Sequence, residues 1–490
     1  MDALKLKEVV DVTSEKRAKF IFIQTVRPIN IDHFYATYWQ KKFMHINRST
    51  DNNPTNYWQK FFSSKQLRNV LTKNLLVVGR DVHLFSPDKA TSLRTELRGS
   101  DIFSVCQNGS KVILLNPIKY VDVLWKLCSA LEHEFSAVVG CLLHLSSESN
   151  GSSKITGYDE PVLAADSFFL QLEGQSAWTV STSAGTSTSD KAAASSYVLL
   201  GAGDTLYVPK GHSLRQMEPR SAPPSSSKES KPLSLTLQIY TNEANSLEDV
   251  LQLLLPQALA MAASSSRLIR SALPVNFPYF MGVAASEKDK DSDAKEEEVA
   301  PKLPSSGKKQ NHSGKKTNNY STPGKRSRET EEDIDDQEEI VARQEAIHAT
   351  AASQDDPRRT ALLNRVRKSL NIISDVALSS IDACFDQFTA KSFILNRLPV
   401  ALTPEEEAVT AAGAPGAVVF PYTKLRMVRP GVAAITVEDG KVLVYHCMDN
   451  SRERRGLPIN TPSVSLSVHP AQFLFISFSI PFFFLKKKRF

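Results

Sequence analysis

The middle of the chain is dominated by short runs in which apolar and polar residues alternate. Residues 233–239 read Leu-Ser-Leu-Thr-Leu-Gln-Ile, which is the two-residue period of a strand with one buried face. Similar strand-like runs cover 138–145, 165–180 and 198–208, and polar turns such as the one at 201–204 separate them. Many short strands joined by turns predict an antiparallel barrel or sandwich.

Amphipathic helices are predicted on both sides of these strands. In the run Val123–Phe135, large apolar residues recur at three- and four-residue steps, the spacing of one buried helix face. A second helix is predicted over Ser246–Ala263, because Ser246 is a suitable N-cap and Asp249 follows three residues later. Pro256 is expected to kink this helix.

The C-terminal part combines helices with a hairpin. A helical pattern covers 358–388. A further helix is predicted to begin after Thr403, where a proline follows and Glu406 completes a capping box. In the run 432–446, two apolar segments flank Asp439-Gly440, a dipeptide that favours a tight hairpin turn.

Composition narrows the class of protein. The chain has 490 residues, of which 41% are apolar, so we expect about two to four domains with real cores. The formal net charge of +6 is too small to indicate nucleic-acid binding by itself. Five scattered cysteines, without CxxC or zinc spacing, favour a reducing compartment. Residues 1–19 are charged and contain no apolar signal-peptide core.

Two segments depart from this globular composition. Residues 284–345 are rich in charged and small residues, and we expect them to be disordered. Their basic part, 308–328, is either a solvated tail, a nuclear address or a nucleic-acid contact. The apolar run 473–485 is too short for a membrane span, which needs ~20 residues. The segment 473–490 therefore stays open between a buried strand pair, a surface anchor and a gene-model artefact.

Three groups of residues resemble one enzyme family. Residues 34–42 have the spacing Phe-x-x-x-Tyr-Trp-x-Lys-Lys, and their apolar pattern also predicts a helix packed on the core. Residues 168–174 read Phe-Phe-Leu-Gln-Leu-Glu-Gly and are followed by Trp178, and residues 240–259 match the exit from that family's barrel. Together they resemble the JmjC/cupin oxygenases of the ribosomal oxygenase type, which use Fe(II) and 2-oxoglutarate.

The resemblance implies an α+β fold, in which a double-stranded β-helix (the cupin/JmjC barrel) is joined to a helical dimerisation region and a C-terminal winged-helix domain. The expected divisions are an N-terminal extension (1–30), the barrel with its flanking helices (31–245), a helical exit segment (246–283), a disordered charged linker (284–345), a helical dimerisation region (346–402), a winged-helix-like domain (403–475) and an apolar-basic tail (476–490).

The iron ligands of such an enzyme are two imidazoles and one carboxylate. In the family the carboxylate and the first imidazole come from a His-x-Asp triplet. Aligned from Val139-Gly140, the triplet falls on Gly157 to Asp159, which keeps the carboxylate and loses the imidazole. Aligned from Gln171, it falls on Pro161 and Leu163, and both ligands are lost. We prefer the first alignment, which makes Asp159 a candidate metal ligand.

The remaining family positions are also substituted. The second imidazole is expected at Leu214, and His212 lies two residues earlier on the same strand face, so His212 is a candidate metal ligand in a shifted role. The co-substrate lysine is replaced by Ser176, and an asparagine that contacts the co-substrate is replaced by Leu142. One carboxylate alone does not hold Fe(II) selectively.

Two functions follow from these substitutions. The leading hypothesis is a binding or scaffold protein with a degenerate iron site, in the nucleus or nucleolus. The alternative is an active 2-oxoglutarate-dependent protein oxygenase, of the hydroxylase or histone demethylase kind, with a non-standard iron site at Asp159 and His212. The resemblance implies a homodimer and a ribosomal protein or histone as partner. Whether the chain is an enzyme stays uncertain from sequence, since Gly157, Leu214 and Ser176 replace functional residues.

Overall fold

The computed structural model describes residues 14–48, 56–86, 91, 94–147, 159–160, 162–182, 195–217, 233–282, 356–402, 404–408, 431–438, 440–448, 450–452 and 464–466. The predictions for Gly157, for the charged linker (284–345) and for the tail (473–490) lie outside these residues. The chain divides into two compact units, of which unit 1 is Met1–Leu254 with Ile381–Phe490 and unit 2 is Leu255–Ser380.

The strands are numbered in chain order. They are β1 (Met44–Ile46), β2 (Leu75–Val77), β3 (Val82–Phe85), β4 (Glu96–Arg98), β5 (Lys111–Leu114), β6 (Val139–Ser147), β7 (Asp159–Glu160), β8 (Asp166–Glu173), β9 (Ser176–Thr182), β10 (Ser195–Leu200), β11 (Thr205–Val208), β12 (His212–Met217), β13 (Leu233–Thr241), β14 (Ala433–Glu438), β15 (Lys441–His446) and β16 (Val464–Leu466).

The helices are numbered in the same way. They are α1 (Ser14–Val26), α2 (Ile31–Thr37), α3 (Asn56–Gln59), α4 (Ser64–Leu71), α5 (Ile102–Gln107), α6 (Asp122–Phe135), α7 (Leu247–Ser265), α8 (Arg267–Arg270), α9 (Pro357–Ser379), α10 (Ile381–Phe388) and α11 (Pro404–Ala408).

Two antiparallel sheets face each other in unit 1. The larger has seven strands in the order β1-β11-β8-β13-β6-β5-β3, and the smaller has four in the order β10-β9-β12-β7. Side chains from both sheets share one buried cluster, among them Phe169, Leu206, Trp178 and Leu214. The interior of this two-sheet barrel lies between them, as the alternating strands predict.

The outer face of the large sheet packs on the helices. In β13, Leu235, Leu237 and Ile239 join a second core that also includes α1, α2 and α6. Ser234 and Thr236 alternate with these residues, and both are buried. Because successive strand residues point to opposite faces, they face the barrel interior.

A tight turn at Gly174 joins β8 to β9. Gly174 has a φ of +67°, and a Cβ atom at this position would lie 2.5 Å from the carbonyl oxygen of Leu233. Only glycine meets both conditions without strain. The turn therefore carries the chain from β8, which belongs to the large sheet, to β9, which belongs to the small one.

The helix predicted over residues 34–42 is shorter than its pattern. The structure ends α2 at Thr37, and Gln40 adopts a left-handed φ of 56°. The backbone N–H of Gln40 donates to Tyr207 Oη at 2.8 Å instead of forming a helical hydrogen bond. The aromatic side chains still pack on the core, since Phe34 and Tyr207 have ring centroids 5.1 Å apart.

The C-terminal residues of unit 1 include a small sheet. Strands β14, β15 and β16 form it in that order, and the β14–β15 hairpin turns at Gly440, as the Asp-Gly signal predicts. The short helix α11 precedes it. The winged-helix assignment stays a prediction, because residues 409–430 lie outside the described part of the chain.

Candidate functional site

The candidate iron site lies where β7 meets β12. The two strands pair antiparallel, with Glu160 opposite Leu214 and Asp159 opposite Arg215. On its other side β12 pairs with β9. The two candidate ligands, Asp159 and His212, therefore lie on adjacent strands.

Leucine occupies the inward position of β12 at this point, and a second leucine, Leu163, follows β7 in the chain. Leu214 has no exposed surface, whereas its neighbour Arg215 is exposed. Leu163 contacts the start of β12 through its backbone, where its N–H donates to the carbonyl oxygen of His212 at 2.8 Å and its own oxygen accepts from Gly211 N at 2.9 Å. Leu163 and Leu214 belong to the same buried cluster inside the barrel. Neither side chain has an atom that binds metal.

His212 is the first residue of β12 and is partly exposed. Burial lowers the pKa of His212, and a backbone hydrogen bond to Lys210 and the carboxylate of Asp166 oppose this only in part. The ring is therefore neutral near pH 7. Its Nε2 atom is buried and has no hydrogen-bond partner among the described residues.

Asp159 and His212 are three positions out of register. Asp159 lies opposite Arg215, and Arg215 follows His212 by three residues. At ~3.4 Å per residue the offset along the strand is ~10 Å. An odd offset between paired positions corresponds to opposite faces of a sheet.

Ser176 takes part in a closed hydrogen-bond network. Its hydroxyl donates to Gln171 Oε1 at 2.6 Å and accepts from Trp178 Nε1 at 2.8 Å. Thr236 donates to the same Gln171 oxygen at 2.7 Å. The Gln171 amide nitrogen donates to Ser234 Oγ at 3.0 Å and to the carbonyl oxygen of Glu173 at 2.8 Å.

This network uses the full capacity of the Gln171 amide, which has two donors and accepts two bonds at its oxygen. Gln171 and Thr236 are at most 1% exposed, and Ser176 is 3% exposed. None of the network side chains carries a charge that would pair with a dicarboxylate. Ser176, at the position where the resembling family has a lysine, therefore belongs to a buried network of polar side chains that bond to one another.

A second polar contact crosses the large sheet. His144 Nε2 bonds to Gln238 Oε1 at 2.8 Å, and Gln238 donates to Ser167 Oγ at 3.3 Å. Burial lowers the pKa of His144 to about 4, so the ring is neutral in the folded protein. Leu142, at the asparagine position, alternates with His144 on β6 and is half-buried.

Asp166 is a buried carboxylate, and no sequence motif identified it as a candidate site residue. It accepts hydrogen bonds from Tyr207 Oη at 2.9 Å, Lys210 N at 3.1 Å and Asn242 Nδ2 at 3.0 Å. Burial and this carboxylate together raise the pKa of the Tyr207 hydroxyl. Asp166 thus holds the turn before β12 against the ends of β8 and β13.

The described residues do not fit a 2-oxoglutarate-dependent iron centre. Two imidazoles and a carboxylate are required, whereas the buried cluster beside the start of β12 contains Leu214 and Leu163. Among the side chains that the structure describes, no group of three or more His, Cys, Asp or Glu lies close enough to bind a metal ion. In the same part of the chain, no helix is both long and apolar enough to cross a membrane.

Comparisons with known proteins agree with the resemblance seen in the sequence. The chain is 25% identical over 483 residues to the bifunctional lysine-specific demethylase and histidyl-hydroxylase NO66 of Branchiostoma floridae, a match covering 96% of this chain and 63% of that protein. It is 24% identical over 467 residues to human ribosomal oxygenase 1, a match covering 90% of this chain and 59% of that protein. The chain thus spans about three fifths of the length of these curated relatives.

Solved structures resemble the chain more weakly. The X-ray structure of Escherichia coli ycfD is 12% identical, with a TM-score of 0.37 over 89% of this chain and 91% of that chain. The ycfD complex with cobalt and 2-oxoglutarate has a TM-score of 0.32 and covers 55% of this chain and 66% of that chain. No protein-family model matches the sequence.

Proposed function

We propose that this chain, which is related to the ribosomal oxygenases along most of its length, is a binding or scaffold protein whose barrel has lost the iron site. The observation that carries the proposal is the pair Leu163 and Leu214, which are both buried in the barrel interior beside the first residues of β12. An iron ion at this place would have hydrocarbon where it needs imidazole and carboxylate, and burying such a charge without ligands is strongly unfavourable.

The Ser176 network supports the same function. A bound dicarboxylate needs a cation or several free donors, whereas Ser176, Gln171 and Thr236 bond to each other. Opening this network for a ligand would leave buried polar groups without hydrogen-bond partners, and each such group costs about 1–3 kcal/mol of free energy. The barrel interior therefore works as a core that holds the two sheets together.

Iron binding and turnover test the proposal. Purified, metal-stripped protein is mixed anaerobically with one equivalent of Fe(II) and then given oxygen and 2-oxoglutarate. We expect no retained iron after gel filtration and no succinate above that of a protein-free control. Stoichiometric iron together with succinate formation would overturn the proposal.

An active oxygenase is the second candidate, and the unsatisfied His212 Nε2 atom favours it. In this function Asp159 and His212 would hold the iron from neighbouring strands, which requires β7 to shift along β12 from the register in which Asp159 lies opposite Arg215. The variants Asp159→Ala and His212→Ala test it directly, because each would abolish iron retention. Identical behaviour of both variants and the parent protein would exclude this candidate.

We also propose that the protein acts as a homodimer. Four leucines at four-residue steps form an exposed stripe on α7, with exposed fractions between 37% and 70%: Leu247, Leu251, Leu255 and Leu259. An apolar stripe of this spacing is what a partner helix packs against. Leu255→Glu with Leu259→Glu should convert a dimer into a monomer in light scattering, whereas a monomeric parent protein would refute the assignment.

The partner and location are proposed from the relatives. Their names refer to ribosomal oxygenation, lysine demethylation and histidyl hydroxylation, so we propose a ribosomal protein or a histone as the bound partner. The basic run 308–328 would direct the chain to the nucleus or nucleolus. A fluorescent fusion in which the cations of this run are replaced by Gln should stay out of the nucleus, and unchanged nuclear signal would refute the role of the run.

A further inference from the structure

The described part of unit 2 is strongly basic. It comprises residues 255–282 and 356–380, and it contains seven cations and two carboxylates, which is a net charge of 7 − 2 = +5. The whole chain has a net charge of +6, so the rest of the chain contributes only 6 − 5 = +1. The seven cations are Arg267, Arg270, Arg358, Arg359, Arg365, Arg367 and Lys368.

The cations lie on two segments that pack side by side within unit 2, residues 267–280 and the start of α9, and these two segments are called the strip. Residues 271–280 run beside the first turns of α9 in the opposite direction, because Arg365 donates to the carbonyl oxygen of Ala272 at 2.9 Å and Arg359 donates to that of Phe280 at 3.3 Å. From Arg358 to Lys368 the helix rises ~15 Å. The strip therefore has the length of a few nucleotides rather than that of a single anion.

The charge of the strip is not neutralised within the described residues of unit 2. Arg358 pairs with Asp356 at 2.8 Å. Among the described residues, no other ion pair involves the strip, and the remaining contacts of its arginines are to neutral oxygens. Arg267, Arg367 and Lys368 are exposed. A surface of this kind attracts a polyanion.

Exposed aromatic rings lie beside the cations. Tyr279 is 78% exposed and Phe277 is 37% exposed. The next ring, Phe280, is buried under the guanidinium of Arg358, whose carbon lies 5.0 Å from the ring centroid. Exposed rings next to arginines provide stacking surfaces for bases as well as contacts for phosphates.

We infer that the strip formed by residues 267–280 and the start of α9 binds single-stranded RNA. The phosphates contact the cations, and Tyr279 stacks on a base. Both kinds of contact are insensitive to base sequence, so binding is weakly specific and depends steeply on salt. The inference does not depend on whether the barrel holds iron, and its test has no readout in common with iron binding.

The test measures binding of a labelled oligouridine of about 20 nucleotides to the full chain by fluorescence anisotropy, between about 50 and 200 mM salt. The variant Arg267→Gln/Arg367→Gln/Lys368→Gln removes three exposed cations from the strip. At about 0.7 per phosphate contact, the slope of log affinity against log salt should fall by about 2. Tyr279→Ala should weaken RNA binding at least about fivefold, and it should leave the slope of log affinity against log salt unchanged.

Two matched variants make the result decisive. Lys60→Gln/Lys65→Gln/Lys73→Gln removes three exposed cations from unit 1, and it should leave the slope unchanged. Lys315→Gln/Lys316→Gln/Lys325→Gln removes three from the linker. If the linker variant accounts for all the loss and the strip variant for none, the inference is wrong.

Other occupants of the strip give different results. An acidic protein partner predicts that polyglutamate competes as well as RNA does and that Tyr279→Ala has no effect. A second copy of the chain predicts that Tyr279→Ala dissociates the dimer in light scattering without changing RNA binding. Either result would overturn RNA as the occupant.

Discussion

The two faces of the seven-stranded sheet differ in what they bury. The outer face packs Phe168, Leu170 and Leu237 against aromatic residues of the helices. The inner face combines leucines with a hydrogen-bonded network around Gln171 and Ser176. Strand β8 contributes to both faces, because Phe168 and Leu170 point outward whereas Phe169 and Gln171 point inward. The difference teaches that one sheet can pack an apolar face on the helices while its other face buries hydrogen-bonded polar side chains inside the barrel.

The outer face should be the most sensitive to truncation. Phe168 is 1% exposed, and its ring centroid lies 4.8 Å from that of Tyr207 and 5.9 Å from that of Phe22. Phe168→Ala should lower the free energy of unfolding by about 3–5 kcal/mol, because it leaves a cavity in a close-packed cluster. Urea denaturation measures this. Val437→Ala, at a position 51% exposed, is the control and should change it by less than about 0.5 kcal/mol.

The inner face should respond to pH through His144. Its pKa is about 4 in the folded protein and 6.5 as the ordinary value, so the unfolded chain binds more protons between these values. The stabilisation that comes from burying the neutral His144 ring is fully present above pH 6.5. As the pH falls toward about 4, the free energy of unfolding decreases by up to about 3 kcal/mol. His144→Gln should remove this part of the pH dependence. Parallel stability curves for the two proteins would contradict the account.

The Ser176 network should give a smaller effect. Ser176→Ala leaves the Trp178 N–H without its acceptor and removes one of the two bonds to Gln171 Oε1, which should lower the free energy of unfolding by about 1–3 kcal/mol. Trp178 fluorescence should shift as well. Ser195→Ala, at an exposed position of β10, should change stability by less than about 0.5 kcal/mol. Equal effects of both variants would show that the network is not a structural core.

Local patterns predicted most of the framework. The alternation in residues 233–239 marked β13, and the Ser246–Asp249 pair marked the start of α7, where Ser246 N donates to Asp249 Oδ2 at 2.8 Å. Pro256 lies inside α7, which continues to Ser265. These features depend on residues close together in the chain, so a single sequence contains the information.

The candidate site was less predictable because it depends on contacts between distant residues. The sequence allowed two alignments around Gly157 and Leu163, and only the structure shows that β7 and Leu163 both lie beside β12. Gln171 belonged to a recognised motif, but its partner Thr236 is 65 residues away. The available signal for this network was the series of polar residues that alternate along β13, because polar side chains on a buried strand need hydrogen-bond partners.

The central claim is that the barrel interior does not bind the family's metal. Trp178 lies in the same buried cluster as Leu163 and Leu214, so a paramagnetic ion held there would quench its fluorescence. The measurement is a titration of metal-stripped protein with Co(II), with and without 2-oxoglutarate, in the parent protein and in Trp178→Phe. The account predicts that the emission difference between the two proteins stays constant. Saturable quenching that is lost in Trp178→Phe, with a stoichiometry of one ion per chain, would contradict it.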